Sequence, residues 1–278
     1  MNDIREFLSR RPLLFDGGMG TYYKAAPGIE CERANQTDPA GVQAVHREYL
    51  EAGADAIKTN TFGLPRMAAA HMPGWESLAE AGWKLAEAAA MPAGAFVFAD
   101  LGPAPETEAL PAAQVYTAVA EQFRKMGAKN FLFETLSSDA GILEAVRTLK
   151  AAEPDAFVLV SFAVLPDGYT REGQYGRELV RRMTESGIVD AVGFNCVNAD
   201  AALPGLVSKL RRFTDAPLVC KPNAGMPVIS PAGIPEYAMS PADFASIQAD
   251  CRAMGASILG GCCGTTPVHI RAMVEKVK

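Results

Sequence analysis

The chain has 278 residues, a length that allows one large domain or two of about 140 residues. Hydrophobic residues make up 49% and charged residues 21%, an ordinary globular composition that argues against long disorder. A net charge of −6 gives no support to a nucleic-acid-binding surface, although backbone amides can still hold a phosphate-rich ligand.

No run approaches the ~18–20 apolar residues needed to cross a membrane. The N-terminus, MNDIREFLSRRPLLFDGG, lacks the apolar core of a signal peptide. The expected compartment is the cytoplasm, and the six cysteines are expected as reduced thiols.

Strand-like apolar runs fall at 13–16, 56–59, 96–100, 131–135, 157–162, 191–195, 218–221 and 257–260. Alanine-rich amphipathic stretches alternate with them at 41–52, 75–90, 112–126, 139–152, 177–186, 201–213, 242–254 and 268–277. Gly53, Gly127 and Gly255 close three of these stretches, as left-handed helix C-caps do. Eight strand–helix units of about 35 residues match the size of a (β/α)8 TIM barrel, an α/β fold. The expected organisation is one barrel domain over 1–278. A doubly wound open sheet is the rival, but its glycine fingerprint would run straight from the first strand into a helix. Here DGGMGT is followed by weakly periodic sequence up to Asp38-Pro39, which reads as a long first βα loop.

In a barrel the chemistry sits where the strands end. Those ends carry Asp16-Gly17-Gly18-Met19, Lys58-Thr59-Asn60, Asp100, Glu134-Thr135, Asn195-Cys196, Lys221-Pro222-Asn223 and Gly261-Cys262-Cys263-Gly264. Turn punctuation explains Gly and Asp but not adjacent cysteines. Three thiolates from Cys196, Cys262 and Cys263 would suit zinc, with a fourth position left open, as in catalytic sites. Buried inert cysteines are the alternative. Cys31, Cys220 and Cys251 lack such a setting, and none of His46, His71 and His269 has metal spacing with another histidine.

DGGMGT, TNTFG, GFNC, PNAG and GGCCGTTP, in this order over 13–273, resemble the homocysteine S-methyltransferase family. The details are most similar to the homocysteine-binding module of cobalamin-dependent methionine synthase. The S-methylmethionine-dependent branch tends to have arginine where this chain has Gly264. The betaine-dependent branch typically carries a longer C-terminal extension. One position departs from the pattern: the residue before TNTF, commonly glutamate in the synthase branch, is Lys58.

The resemblance implies methyl transfer to the thiol of homocysteine, giving methionine, with zinc held by Cys196, Cys262 and Cys263. The substrate sulfur would take the fourth position. By the same resemblance Asp16 and Glu134 lie near the substrate ammonium, and Asn195 shapes the zinc rim. A rim salt bridge from Glu134 to Lys58 or Lys221 is the competing reading. The backbone amides of Gly17, Gly18 and Met19 are candidates for the substrate carboxylate. No cobalamin-binding signature is present, so methylcobalamin would be supplied in trans by a separate corrinoid protein. A small-molecule donor such as S-methylmethionine or a betaine is the alternative, with Tyr22, Tyr23, Phe62 and Tyr169 available to receive its cation. A non-catalytic zinc-binding scaffold is the non-enzymatic reading.

Overall fold

The structure is a computed structural model that describes residues 3–24, 30–107, 110–231 and 233–278. Eight parallel strands form its centre: β1 (Leu13–Leu14), β2 (Ala56–Lys58), β3 (Phe96–Leu101), β4 (Asn130–Leu136), β5 (Phe157–Phe162), β6 (Ala191–Asn198), β7 (Leu218–Asn223) and β8 (Ala256–Leu259). They are ordered β1-β8-β7-β6-β5-β4-β3-β2. A parallel bridge between Phe15 and Ala56 joins the two ends, with the Asp16 N–H donating to the Ala56 carbonyl at 3.0 Å. The result is the (β/α)8 barrel expected from the alternation.

The strands are buried on both faces, which is why they read as continuous apolar runs. Their period of two divides them cleanly. Leu13, Phe15, Phe98, Leu132, Phe157, Leu159, Val219 and Ile258 pack together inside the barrel. The intervening residues, such as Ile57, Val97, Phe131, Phe133, Val158, Val160 and Val192, join the larger core beneath the helices. Following the inner face along the strands, apolar residues give way to Lys58, Asp100, Glu134, Ser161, Asn195 and Lys221, all buried. One end of the interior is therefore greasy and the other charged.

The outer helices are Pro39–Glu51, Trp75–Ala90, Ala112–Lys125, Ile142–Ala152, Gly176–Glu185, Leu203–Arg211, Pro241–Ala253 and Pro267–Val277. Asp38 caps the first by accepting from the Gly41 N–H, and Ser240 caps the seventh by accepting from the Asp243 N–H, both at 3.1 Å. Gly53, Gly127 and Gly255 take positive φ at the predicted C-caps.

Three features differ from the sequence reading. The first βα connection is not plain loop: Met19–Tyr23 and Ala34–Thr37 are helical, and Cys31–Arg33 is a 3-10 turn. A helix at Ile4–Arg10 closes the greasy end, packing Ile4, Phe7 and Leu8 on the inner core. Its charged, short sequence hides a single apolar stripe. A two-stranded antiparallel ribbon, Val228–Ile229 with Pro235–Glu236, rises after β7.

Candidate metal centre and substrate cavity

Cys196 lies within β6, which runs on to Asn198 instead of ending at residue 195. The register with β7 slips between Asn195 and Asn198, and Cys196 has φ of 54°. A bulge of this kind re-aims a side chain. On β4 the register with β5 slips between Phe133 and Leu136, and Thr135 has φ of 62°. Both are left-handed conformations that residues with a Cβ seldom adopt.

Cys262 and Cys263 follow β8 on a loop laced to the end of β7. The Cys262 N–H donates to the Pro222 carbonyl at 2.8 Å, and the Cys263 N–H donates to Asn223 Oδ1 at 3.0 Å. The Ala224 N–H returns a bond to the Cys263 carbonyl at 2.9 Å. The first loop seats directly against this one. A Cβ on Gly18 would stand 2.6 Å from the Cys262 carbonyl oxygen, so only glycine permits that approach.

This scaffolding brings the three Sγ atoms of Cys196, Cys262 and Cys263 within 4.8 Å of one another. Three sulfurs bonded to one tetrahedral zinc at ~2.3 Å lie about 3.8 Å apart, so the donor set fits that ion in number, softness and spacing. Asn195 Nδ2 approaches Cys262 Sγ at 3.8 Å. Hydrogen bonds from the Cys196 and Cys262 thiols hold Cys263 far below the ordinary thiol range, at about 3. Hydrogen bonds to Cys262 and Cys263, followed by burial, push Cys196 up.

The thiols line a cavity of ≈ 340 Å³ at the charged end of the barrel, together with Gly18, Met19, Lys58, Phe62, Asp100 and Glu134. That volume lies at the lower end of the ~300–1,000 Å³ typical of small-molecule sites. A larger cavity of ≈ 460 Å³ lies between the N-terminal helix and the flanks of β3 and β5, and it shares no lining residue with the thiol site.

The remaining predicted site residues divide. Glu134 and Met19 line the cavity with the cysteines, whereas Asp16 and Gly17 do not. Asp16 is 1% exposed and both its carboxylate oxygens are engaged by Lys58: Oδ2 accepts from the backbone N–H at 3.0 Å and Oδ1 from Nζ at 3.1 Å. Lys58 Nζ also donates to the Gly17 carbonyl at 2.7 Å. Burial opposes the charge on Lys58, yet Asp16, Glu134 and Asp100 together hold it above its ordinary value. Glu134 Oε2 accepts from Lys221 Nζ at 2.7 Å, while the residue also lines the cavity. The Gly18 N–H is committed to Thr265 Oγ1 at 3.1 Å.

Sequence reasoning passed over Tyr237, which follows the ribbon and adds a hydrogen bond lowering Cys263. It also passed over Cys31, which lines the cavity as a neutral thiol, pushed by burial up to about 12. No signal in the local sequence of either points to the site, because both arrive on connections whose paths only the folded chain defines. Cys220 and Cys251 are buried away from it, with their thiols in contact. Of the four aromatic residues considered for a cationic donor, Phe62 alone lines the cavity. Tyr22 bonds Glu48, Tyr23 bonds Asp38, and Tyr169 packs on Tyr175. No helix among the described residues is long and apolar enough to cross a membrane.

The sequence profile of the homocysteine S-methyltransferase family matches residues 13–277. The methionine synthase of Mycobacterium tuberculosis is 32% identical over 99% of this chain, and that of Mycobacterium leprae 31% identical over 99%. The chain spans about a quarter of the length of these relatives, 25% in each case. The metallated form of the homocysteine methyltransferase MmuM from Escherichia coli superposes with a TM-score of 0.79, at 23% identity, covering 99% of this chain and 100% of that one. At that identity the superposition speaks for the fold.

Proposed function

The chain belongs to the homocysteine S-methyltransferase family, and from that premise we propose that it methylates the thiol of homocysteine to give methionine. In this reading residues 1–278 act as one barrel domain, and Cys196, Cys262 and Cys263 hold zinc. The observation that carries it is the convergence of those three sulfurs, from two distant parts of the chain, on the wall of one cavity. Zinc there would supply a Lewis-acidic position that keeps a substrate thiol, of ordinary pKa ~8.5, in its nucleophilic ionised form at neutral pH.

The chain's own residues do the positioning. Asn195 holds the Cys262 sulfur from below. The Met19 edge of the first loop borders the cavity and receives the substrate carboxylate. Phe62, together with the apolar parts of the lining, limits water around the sulfur.

We assign the methyl donor as methylcobalamin carried by a corrinoid protein. The synthase-like motifs support this, and so does the setting of Gly264. Its φ is 78°, and a Cβ there would fall 2.1 Å from the Tyr237 ring. The arginine of the S-methylmethionine branch has no room at this position.

The test begins with purification in zinc under anaerobic conditions. One zinc per chain, with proton release on adding homocysteine, is the expected result. No zinc overturns the metal centre, and zinc without a homocysteine response leaves only a scaffold. Methyl transfer is then compared with methylcobalamin, S-methylmethionine and betaine as donors. Turnover with S-methylmethionine alone overturns the donor assignment.

A further inference from the structure

Six carboxylate and ammonium side chains are buried at the charged end of the barrel or in its cavity wall: Asp16, Glu32, Lys58, Asp100, Glu134 and Lys221. Their pairing is uneven. Lys58 satisfies Asp16, and Lys221 satisfies Glu134 while lying 4.8 Å from the centre of the Phe15 ring. Four carboxylates thus meet two ammonium groups; Glu32 accepts from the Gly63 N–H, and Asp100 is left with an oxygen that has no partner.

Asp100 is firmly held by its backbone. Its N–H donates to Thr59 Oγ1 at 3.0 Å, and its carbonyl accepts from Thr61 Oγ1 at 2.8 Å. The side chain is another matter: the residue is 1% exposed, and Oδ1 is buried without a hydrogen-bond partner. It nevertheless lines the cavity that holds Cys196, Cys262 and Cys263. Buried polar groups are nearly always satisfied, and an orphan that borders a ligand cavity marks the place where the ligand supplies the partner. Burial, reinforced by Glu134 nearby, pushes the Asp100 carboxyl well above the usual carboxylate range. The group therefore gains most from a partner that brings both a positive charge and donors.

We propose that Asp100 is a specificity-determining residue that takes the α-ammonium of the amino-acid substrate beside Glu134 and in place of Asp16, both of whose oxygens Lys58 holds. The proposal rests on the homocysteine reading above. It assigns the departure at Lys58 a consequence: the lysine takes up both oxygens of Asp16, and the unpartnered carboxylate stands two strands further round, on β3.

The test compares two thiols on the zinc-loaded protein by calorimetry, homocysteine and 4-mercaptobutanoate, which is homocysteine without its amino group. A buried ion-paired contact of this kind predicts a wild-type preference for homocysteine on the order of a hundredfold. In Asp100→Asn the ratio falls towards one through weaker homocysteine binding, while the affinity for 4-mercaptobutanoate stays within about threefold. Asp100→Ser serves the same comparison if the asparagine variant does not fold. A wild-type ratio near one overturns the proposal without any variant. So does a variant that weakens both thiols equally, which is the mark of a merely structural residue, or one that leaves the ratio intact. If the wild-type protein binds neither thiol, the homocysteine reading itself fails and the role of Asp100 falls with it.

Discussion

Asn195 on β6 and Thr135 on β4 hold each other over the end of β5 by two hydrogen bonds. The Asn195 amide donates to Thr135 Oγ1 at 2.7 Å, and the Thr135 N–H donates to Asn195 Oδ1 at 2.8 Å. Ser161 Oγ gives a further bond to Oδ1 at 2.8 Å, which fixes which end of the amide faces Cys262. The left-handed Thr135, costly for a β-branched residue, is thereby over-determined by its partner.

If the cysteines hold zinc as proposed, that arrangement makes Asn195 a support for Cys262. Asn195→Ala removes the N–H facing the Cys262 sulfur and frees Thr135 at the same stroke. Zinc affinity is expected to fall about 10–100-fold, the usual cost of losing an outer partner of a metal ligand. Competition with a chromophoric chelator measures it, and an unchanged affinity would show that the amide is only packing.

The buried Lys221–Glu134 pair gives a second expectation, on stability. Both side chains are almost fully buried, at 0% and 4% exposure, so removing one partner strands a charge. Lys221→Met is expected to cost about 3–5 kcal/mol at neutral pH, while the double variant Lys221→Met with Glu134→Gln regains much of the loss. Urea unfolding reads both, and equal stability of the single and double variants would contradict the pairing.

Much of this site was legible because of where residues stand relative to strand ends. The adjacency of Cys262 and Cys263 between glycines, and the placement of Cys196 at the end of an apolar run, pointed to one rim before any coordinates. Lys58, Asp100, Glu134 and Lys221 likewise stood at strand ends, where the alternation of strand and helix placed them at the same rim. What alternation cannot supply is partnership. Whether Glu134 meets Lys58 or Lys221 depends on strand order and stagger around the ring, which are properties of closure and not of any one strand. The Ile4–Arg10 helix escaped notice for a different reason. At seven residues it is too short for a periodic signal, and its stability comes from the core it covers.

His46 predicts a pH dependence remote from the cysteines. It is 0% exposed on the helix Pro39–Glu51, and neither ring nitrogen has a partner. Burial, with Lys58 adding repulsion, lowers its pKa from 6.5 to about 3. Between those values the unfolded chain binds a proton that the folded chain refuses. Stability therefore falls as pH drops below 6.5, at up to about 1.4 kcal/mol per pH unit from this group, until the folded value is reached. His46→Leu should flatten that part of the stability profile in denaturant melts from pH 7 to 4. An unaltered slope would mean that His46 is solvated in the folded state.

The helix that closes the greasy end is anchored by a charge, and the anchor is asymmetric. Asp190 accepts from Arg5 Nη2 at 2.7 Å, from Lys150 Nζ at 2.7 Å and from the Val158 N–H at 2.8 Å. Arg5 is 39% exposed and has water as an alternative, whereas the Asp190 side chain is 17% exposed. Truncating Arg5 removes its partly exposed ion pair with Asp190 and its bonds to the Asp155 and Ala156 carbonyls, which water can replace, a change of about 1 kcal/mol. Truncating Asp190 strands the Val158 N–H and leaves two cations without their counter-charge, which costs about 2–3 kcal/mol. Asp190→Ala should accordingly destabilise the protein more than Arg5→Ala in urea. The reverse order would place the anchoring energy in the arginine stem packed over the Phe157 ring, whose centre lies 5.4 Å from the guanidinium carbon.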